Sequence, residues 1–391
     1  MARQLRRAAR KPIAAHDALV RMIRGWERGD HELSERYELL YRELGMSPER
    51  PETQERTAQQ ASQVDVLLVP YAPDVIAAIG EALHAAQDGA TEQDRQPTVV
   101  QREILQAWEL RQSAQYLRLG ALLTGLLRNT ATWLAAARDD WDSANAARAA
   151  VHTHDMVSSL LKRLGAYEMA AIVADRAFGV ARQTGNGLLV GAAQLRVANV
   201  YLSASRYAEA VAVAATAADN LPPRDTSPSA EVATFGALLL TAAVAAARMG
   251  EPAQAWEFLG HAKAAAALTG NEHADLFAVF GPVNLAVHGV QVATELGDGR
   301  EALRRAERVD ASQMPAVLLE RRSTLLIDIA RSQHMRRDHA AAGETLLEAE
   351  RVAPLEVRYS ATARSLLGEL MAGSRVPAEL REMATRLRVA A

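Results

Sequence analysis

The chain has no cysteine among its 391 residues. Disulfides, thiol catalysis and every cysteine-based zinc site are thereby excluded, and a reducing, cytoplasmic setting is expected. Aromatic residues amount to only 5%, and apolar runs alternating with period two are scarce, so there is little to build strands from. Charge of one sign is also lacking. Lys+Arg 44 against Asp+Glu 47 leave a formal net charge of -3, which fits neither a polyanion nor a protein that coats nucleic acid, and any electrostatic message must be local. No apolar run of signal-peptide length follows the first basic residues, and the most apolar stretch, Phe235 to Met249, falls short of a bilayer span. No membrane partner is expected. The sequence carries no glycine-rich segment ending in Gly-Lys-Ser/Thr, no Gly-x-Ser-x-Gly elbow and no His-Glu-x-x-His. A binding protein is therefore expected in place of an enzyme, with no cofactor and no metal.

What is abundant is alanine, leucine, arginine and glutamate, the residues that lose least side-chain freedom in a helix, so an all-α protein is expected. Composition divides the chain into a head at 1–46, a polar linker at 47–62, a connecting helical segment with a polar loop at 63–98, and a long helical remainder at 99–391. In the remainder a turn residue followed five positions later by alanine recurs: Gly165 with Ala170, Ser205 with Ala210, Gly250 with Ala255, Gly297 with Ala302, and Arg337 with Ala342. Such a pattern suits stacked helix hairpins, in which glycine takes the left-handed turn and alanine lets the two helices approach. Each hairpin has too little core of its own and must stack on its neighbours.

In the head, Leu19, Met22, Ile23 and Trp26 share one face of a helix running from Asp17 to Arg28, while Arg21, Arg24 and Arg28 share another. With Arg3, Arg6, Arg7, Arg10 and Lys11, eight basic residues face only Asp17 and Glu27 as far as Arg28. Arginines on one side of a short helix suit phosphate contacts and insertion into a DNA groove. Along residues 284–295, Asn284, His288, Gln291 and Glu295 fall at i, i+4, i+7 and i+11 of one helix among valines, leucine and alanines. This narrow polar stripe is a candidate to face the solenoid groove and hydrogen-bond a peptide or small effector. His152, His154 and Asp155 resemble a metal cluster only superficially, because side chains two apart on a helix diverge. Trp133 and Trp141 are expected in packing, and Glu320, Arg321, Arg322 and Asp328 in surface or inter-repeat ion pairs.

Three resemblances add to this. The hairpins resemble tetratricopeptide repeats, although the copies, about 40 to 47 apart, exceed the 34-residue unit. Ile23 to Gly29 followed by Ser34-Glu35-Arg36-Tyr37 looks like the end of a Cro/C1-type helix-turn-helix domain, with Leu33 where proline is usual and an abbreviated stretch before it. Phe280 to His288, Phe235 to Leu240 and Ala353 to Tyr359 are similar to segments of tetratricopeptide-like regulators from high-GC bacteria. The resemblance implies a helix-turn-helix-like head followed by a right-handed tetratricopeptide-like solenoid. It also implies a transcriptional regulator that acts as a homodimer, bound to DNA through the basic head, with an effector or partner protein in the solenoid groove. The alternative is an interaction scaffold or peptide receptor without sequence-specific DNA binding.

Overall fold

The structure is a computed structural model that describes residues 72–85, 97–223, 227–269, 273–274, 278–310, 314–373 and 376–389. The chain divides into two compact units, 1–69 and 70–391, and all described residues belong to the second. That unit is all-α. Its helices are α1 (Ala72–Ala85), α2 (Pro97–Gln112), α3 (Tyr116–Ala136), α4 (Asp140–Arg163), α5 (Tyr167–Gln183), α6 (Gly187–Ser203), α7 (Tyr207–Asp219), α8 (Ser229–Arg248) and α9 (Pro252–Thr269). After a short ladder come α10 (Pro282–Glu295), α11 (Gly299–Ala306), α12 (Leu319–Met335), α13 (His339–Val352), α14 (Pro354–Tyr359), α15 (Ala361–Met371) and α16 (Ala378–Leu387). The ladder joins β1 (His273–Ala274) to β2 (Val279–Phe280) in antiparallel register, His273 opposite Phe280. It is a departure from the helix expected nearly everywhere.

The hairpin turns follow the sequence pattern closely. Gly165, Ser205, Gly250, Gly297 and Arg337 all have positive φ, between 60° and 84°. At each, the next N–H reaches back to close the preceding helix: Ala166 to Leu161, Arg206 to Tyr201, Glu251 to Ala246, Asp298 to Ala293 and Asp338 to Gln333. This is the Schellman closure, which satisfies carbonyls that the helix end would otherwise leave open. A sixth turn of the same kind, at Ala114 with Gln115 bonding Leu110, joins α2 to α3. Ala170, Ala210, Ala255, Ala302 and Ala342 are all fully buried, each where the second helix of its pair meets the first. Aspartate, asparagine and serine caps open α4, α6, α11, α13 and α15 through Asp139, Asn186, Asp298, Asp338 and Ser360, each worth about 1 kcal/mol.

From α2 to α14 every helix packs on the next, and the even-numbered helices also pack on one another, α2 on α4, then α6, α8, α10, α12 and α14. The even helices thus form an inner layer and the odd ones an outer layer, the arrangement of a helical-hairpin solenoid. The core runs between the layers, mostly alanine, leucine and valine. By length and composition α8 could cross a membrane, yet 78% of its apolar window is buried by neighbouring helices. The succession curls far enough for α12 to touch α2.

Candidate functional site

Because the inner helices curl back on themselves, they enclose a cavity of about 610 Å³. Every even helix from α2 to α14 contributes to its wall, through Arg111, Lys162, Arg196, Arg248, His288, Asp328 and Glu356 among others. A few apolar side chains, including Leu195, Leu240, Val244 and Ile327, interrupt a lining that is otherwise polar and charged.

The four residues of the α10 stripe, Asn284, His288, Gln291 and Glu295, all line this cavity. Gly281 stands at the start of the helix, with Pro282 in its first turn. The opposite face of α10 carries Val283, Val287, Val290 and Ala293 into the core. Asn284 is buried, and its amide donates to the Val279 carbonyl at 2.6 Å, which ties the helix to β2. His288 Nδ1 lies 2.9 Å from the Asn284 carbonyl. A carbonyl only accepts, so Nδ1 carries the proton and Nε2 keeps its lone pair. Burial, reinforced by Arg321, pushes the His288 ring down to about 3, so it is neutral in the physiological range and an acceptor at Nε2.

Glu295 anchors one corner. Arg248 reaches it at 3.0 Å and Arg331 at 3.1 Å. Burial by itself would raise the carboxyl, but the two guanidinium groups outweigh it and hold it below its ordinary value. Asp328, one turn before Arg331, accepts a longer bond from it at 3.3 Å through Oδ1, while Oδ2 is buried without a hydrogen-bond partner. Burial pushes the Asp328 carboxyl up to about 7, Arg331 pulls it down, and the charge of Glu295 adds to the rise.

The opposite corner joins the ends of the solenoid. Glu320, in the first turn of α12, meets Arg163 of α4 at 3.0 Å and Arg111 of α2 at 3.5 Å. Arg163 also meets Glu356 of α14 at 2.7 Å, and the Tyr116 hydroxyl donates to the other oxygen of Glu356. Desolvation would raise Glu320, but Arg111, Arg163, Arg321 and Lys162 carry it down to about 2. Burial dominates at Glu356 and raises its carboxyl against the pull of Arg163. Arg196 of α6 is held by Asp155 of α4 through two parallel bonds, 2.9 and 3.0 Å, the fork geometry in which arginine binds carboxylate best. Lys162 has no ion pair or hydrogen bond among the described residues. Burial, then Arg163 and Arg196, push its ammonium down to about 7.

A scan against protein-family models finds no match, and no curated protein matches the chain. Among solved structures, the chain is similar to a crystal structure of a putative kinesin light chain from Podosopora anserina with nearly identical TPR-like repeats. The two share 18% identity over 53% of this chain and 94% of that one, with a TM-score of 0.36.

Several expectations are modified. Glu320 and Asp328 pair within and between repeats as expected, but they line an interior cavity and not the outer surface. Trp133 is buried, its indole N–H donating to Asp142 at 2.7 Å, whereas Trp141 stands 74% exposed. Asp155 is occupied by Arg196, and His154 Nδ1 donates to the Ala150 carbonyl at 2.7 Å, so the His152–Asp155 run is built into the helix layer. The candidate DNA-contacting residues Arg3, Arg6, Arg7, Arg10, Lys11, Arg21, Arg24 and Arg28 lie outside the described residues. The charged wall residues Arg111, Lys162, Arg163, Arg196, Arg248 and Glu356 were not legible as a site, since they are spread over five helices far apart in sequence and form no pattern within any one of them.

Proposed function

We propose that the chain is a ligand-responsive transcriptional regulator of the cytoplasm, whose solenoid takes a small effector or short peptide into its central cavity. It binds without catalysing, and its basic head contacts DNA. The carrying observation is the cavity itself, walled by one helix from every hairpin, with the Asn284, His288, Gln291 and Glu295 stripe along it. A ligand held by residues of all the inner helices draws the repeats together. The free energy of that closure is available to a segment joined to α1. On the DNA side, Arg21, Arg24 and Arg28 recur at a spacing that suits one helical face, and the first 28 residues carry a strong basic excess. A homodimer would match the paired half-sites that helix-turn-helix heads read.

A second reading, an interaction scaffold that reads no DNA, is favoured by the exposed apolar side chains Leu105, Trp141 and Ile172. The test is selection of random duplex DNA by the full chain at physiological salt, followed by sequencing. The regulator reading expects a paired half-site motif that is lost when Arg21, Arg24 and Arg28 become glutamine. Weak retention without sequence preference overturns it in favour of the scaffold.

A further inference from the structure

The end of the cavity where α2, α4, α6 and α12 converge holds more positive charge than it can neutralise. Arg111, Lys162, Arg163, Arg196 and Arg321 gather there. Against them stand Glu320, Glu356 and the Asp155 that grips Arg196. The guanidinium groups of Arg111, Arg163 and Arg196 use up these carboxylates. That leaves the Lys162 ammonium and the Arg321 guanidinium on the wall with no direct ion pair among the described residues, each feeling Glu320 only at longer range. An uncompensated cation removed from water is unfavourable, and proteins retain one where a counter-charge arrives from outside. Arg321 also stands close enough to His288 to help keep that ring neutral, which places it beside the polar stripe of α10.

Resting on the reading of this cavity as the ligand site, we propose that its ligand is a small oxyanion, bearing carboxylate or phosphate groups, seated between Lys162 and Arg321. Ammonium and guanidinium donors give the charge-assisted bonds that both groups accept. His288 Nε2, the acceptor on the neighbouring wall, takes a hydrogen bond from a hydroxyl or amide on the same ligand. An arriving anion stabilises the charged form of Lys162, so binding above neutral pH is accompanied by proton uptake.

Calorimetric titration and thermal unfolding of the full chain at pH 7.5 test this with four probes: citrate for carboxylates, pyrophosphate for phosphates, spermidine as a polycation and glucose as a neutral polyol. Citrate or pyrophosphate is expected to saturate a single site and raise Tm, and which of the two does so separates the carboxylate source from the phosphate. The heat is expected to change between buffers of different ionisation enthalpy as protons are taken up. Lys162→Met weakens that binding by about tenfold or more and abolishes the proton uptake. Because it removes a desolvated charge, it is also expected to raise Tm without ligand, so misfolding does not mimic the result. Arg321→Gln weakens binding similarly, while Arg304→Gln, an exposed cation on α11, leaves it unchanged. The proposal is overturned if neither oxyanion binds, or if Lys162→Met and Arg321→Gln bind as the parent does. Saturable spermidine or glucose binding that Gln291→Trp blocks, with no oxyanion bound, also overturns it but leaves the cavity a receptor site for another chemistry. If no probe binds and the DNA selection also fails, both readings fall.

Discussion

At the scale of single residues, the buried carboxyl of Asp328 sets a pH dependence whose sign can be worked out. Its folded value of about 7 lies above the ordinary 3.8 of an aspartate carboxyl, so between those values the folded protein holds a proton that the unfolded chain has released. Stability contributed by this group is fully present below about 4 and is lost as pH rises through 7. Asp328→Asn keeps the shape without the charge. It is expected to raise stability at pH 8 and to flatten the pH dependence between 4 and 7 in urea unfolding. A variant no more stable at pH 8 than the parent contradicts the assignment. Lys162 acts in a different window. Its ammonium is depressed from 10.5 to about 7, so the penalty of burying it is full below pH 7 and fades as pH climbs from 7 towards 10.5. A second residue-scale prediction concerns Arg337, which holds φ 65° where three of the other hairpins use glycine. A left-handed residue with a Cβ is strained by roughly 1–2 kcal/mol, partly offset by the backbone freedom glycine loses. Arg337→Gly is therefore expected to stabilise by about 0.5–1 kcal/mol, read as a rise in the midpoint of chemical unfolding.

At the scale of elements, the five hairpins announced in the sequence were legible because their signal is local. A left-handed turn and an alanine one and a half helical turns later lie within six residues, and neither depends on what packs elsewhere. The α2–α3 hairpin escaped notice because neither half of the pattern marks it: Ala114 holds the left-handed position, and buried Leu119 stands five residues later where the others have alanine. The α10 stripe was legible for a similar reason, since its periodicity is a property of one helix. Close approach within each pair predicts an asymmetry between neighbouring alanines. Ala255 is fully buried where α9 meets α8, whereas Ala253, two residues earlier, is exposed. Leucine and alanine differ little in helix propensity, so Ala253→Leu is expected to be nearly neutral. Ala255→Leu should cost about 1–3 kcal/mol by forcing the pair apart. Thermal unfolding of the two variants side by side checks this, and equal midpoints would sink the packing argument. Gly236 makes the same point at the cavity wall. A Cβ there runs into the Phe280 ring, which is fully buried beside the wall residues Ala278 and Val279.

At the scale of the described unit, the cavity was not legible, because its charges come together only through curvature that accumulates over six hairpins. Tyr116 and Glu356 are 240 residues apart, and nothing near either one marks the other. The same contacts change how the solenoid unfolds. In an open solenoid each repeat touches only its neighbours, so the ends can unravel independently. Here Arg111 and Arg163 on the first helices meet Glu320 and Glu356 on the late ones, which couples the two ends. Removing one partner of a buried ion pair typically costs about 3–5 kcal/mol, because the other charge is left unanswered. Glu320→Gln leaves Arg111 without its carboxylate and loads the whole claim of Arg163 on Glu356. It should destabilise by an amount towards the lower end of that range, since the Glu320 side chain keeps 18% of its exposure. More telling than the size is the shape of the transition. With both carboxylates replaced, Glu320→Gln and Glu356→Gln together, the first and last hairpins lose their tie. Urea unfolding followed by hydrogen exchange should then show α2 and α13–α16 losing protection before α6–α10. The parent is expected to lose protection in all of them together, and a double variant that still unfolds in one step would mean that packing, not these ion pairs, closes the solenoid.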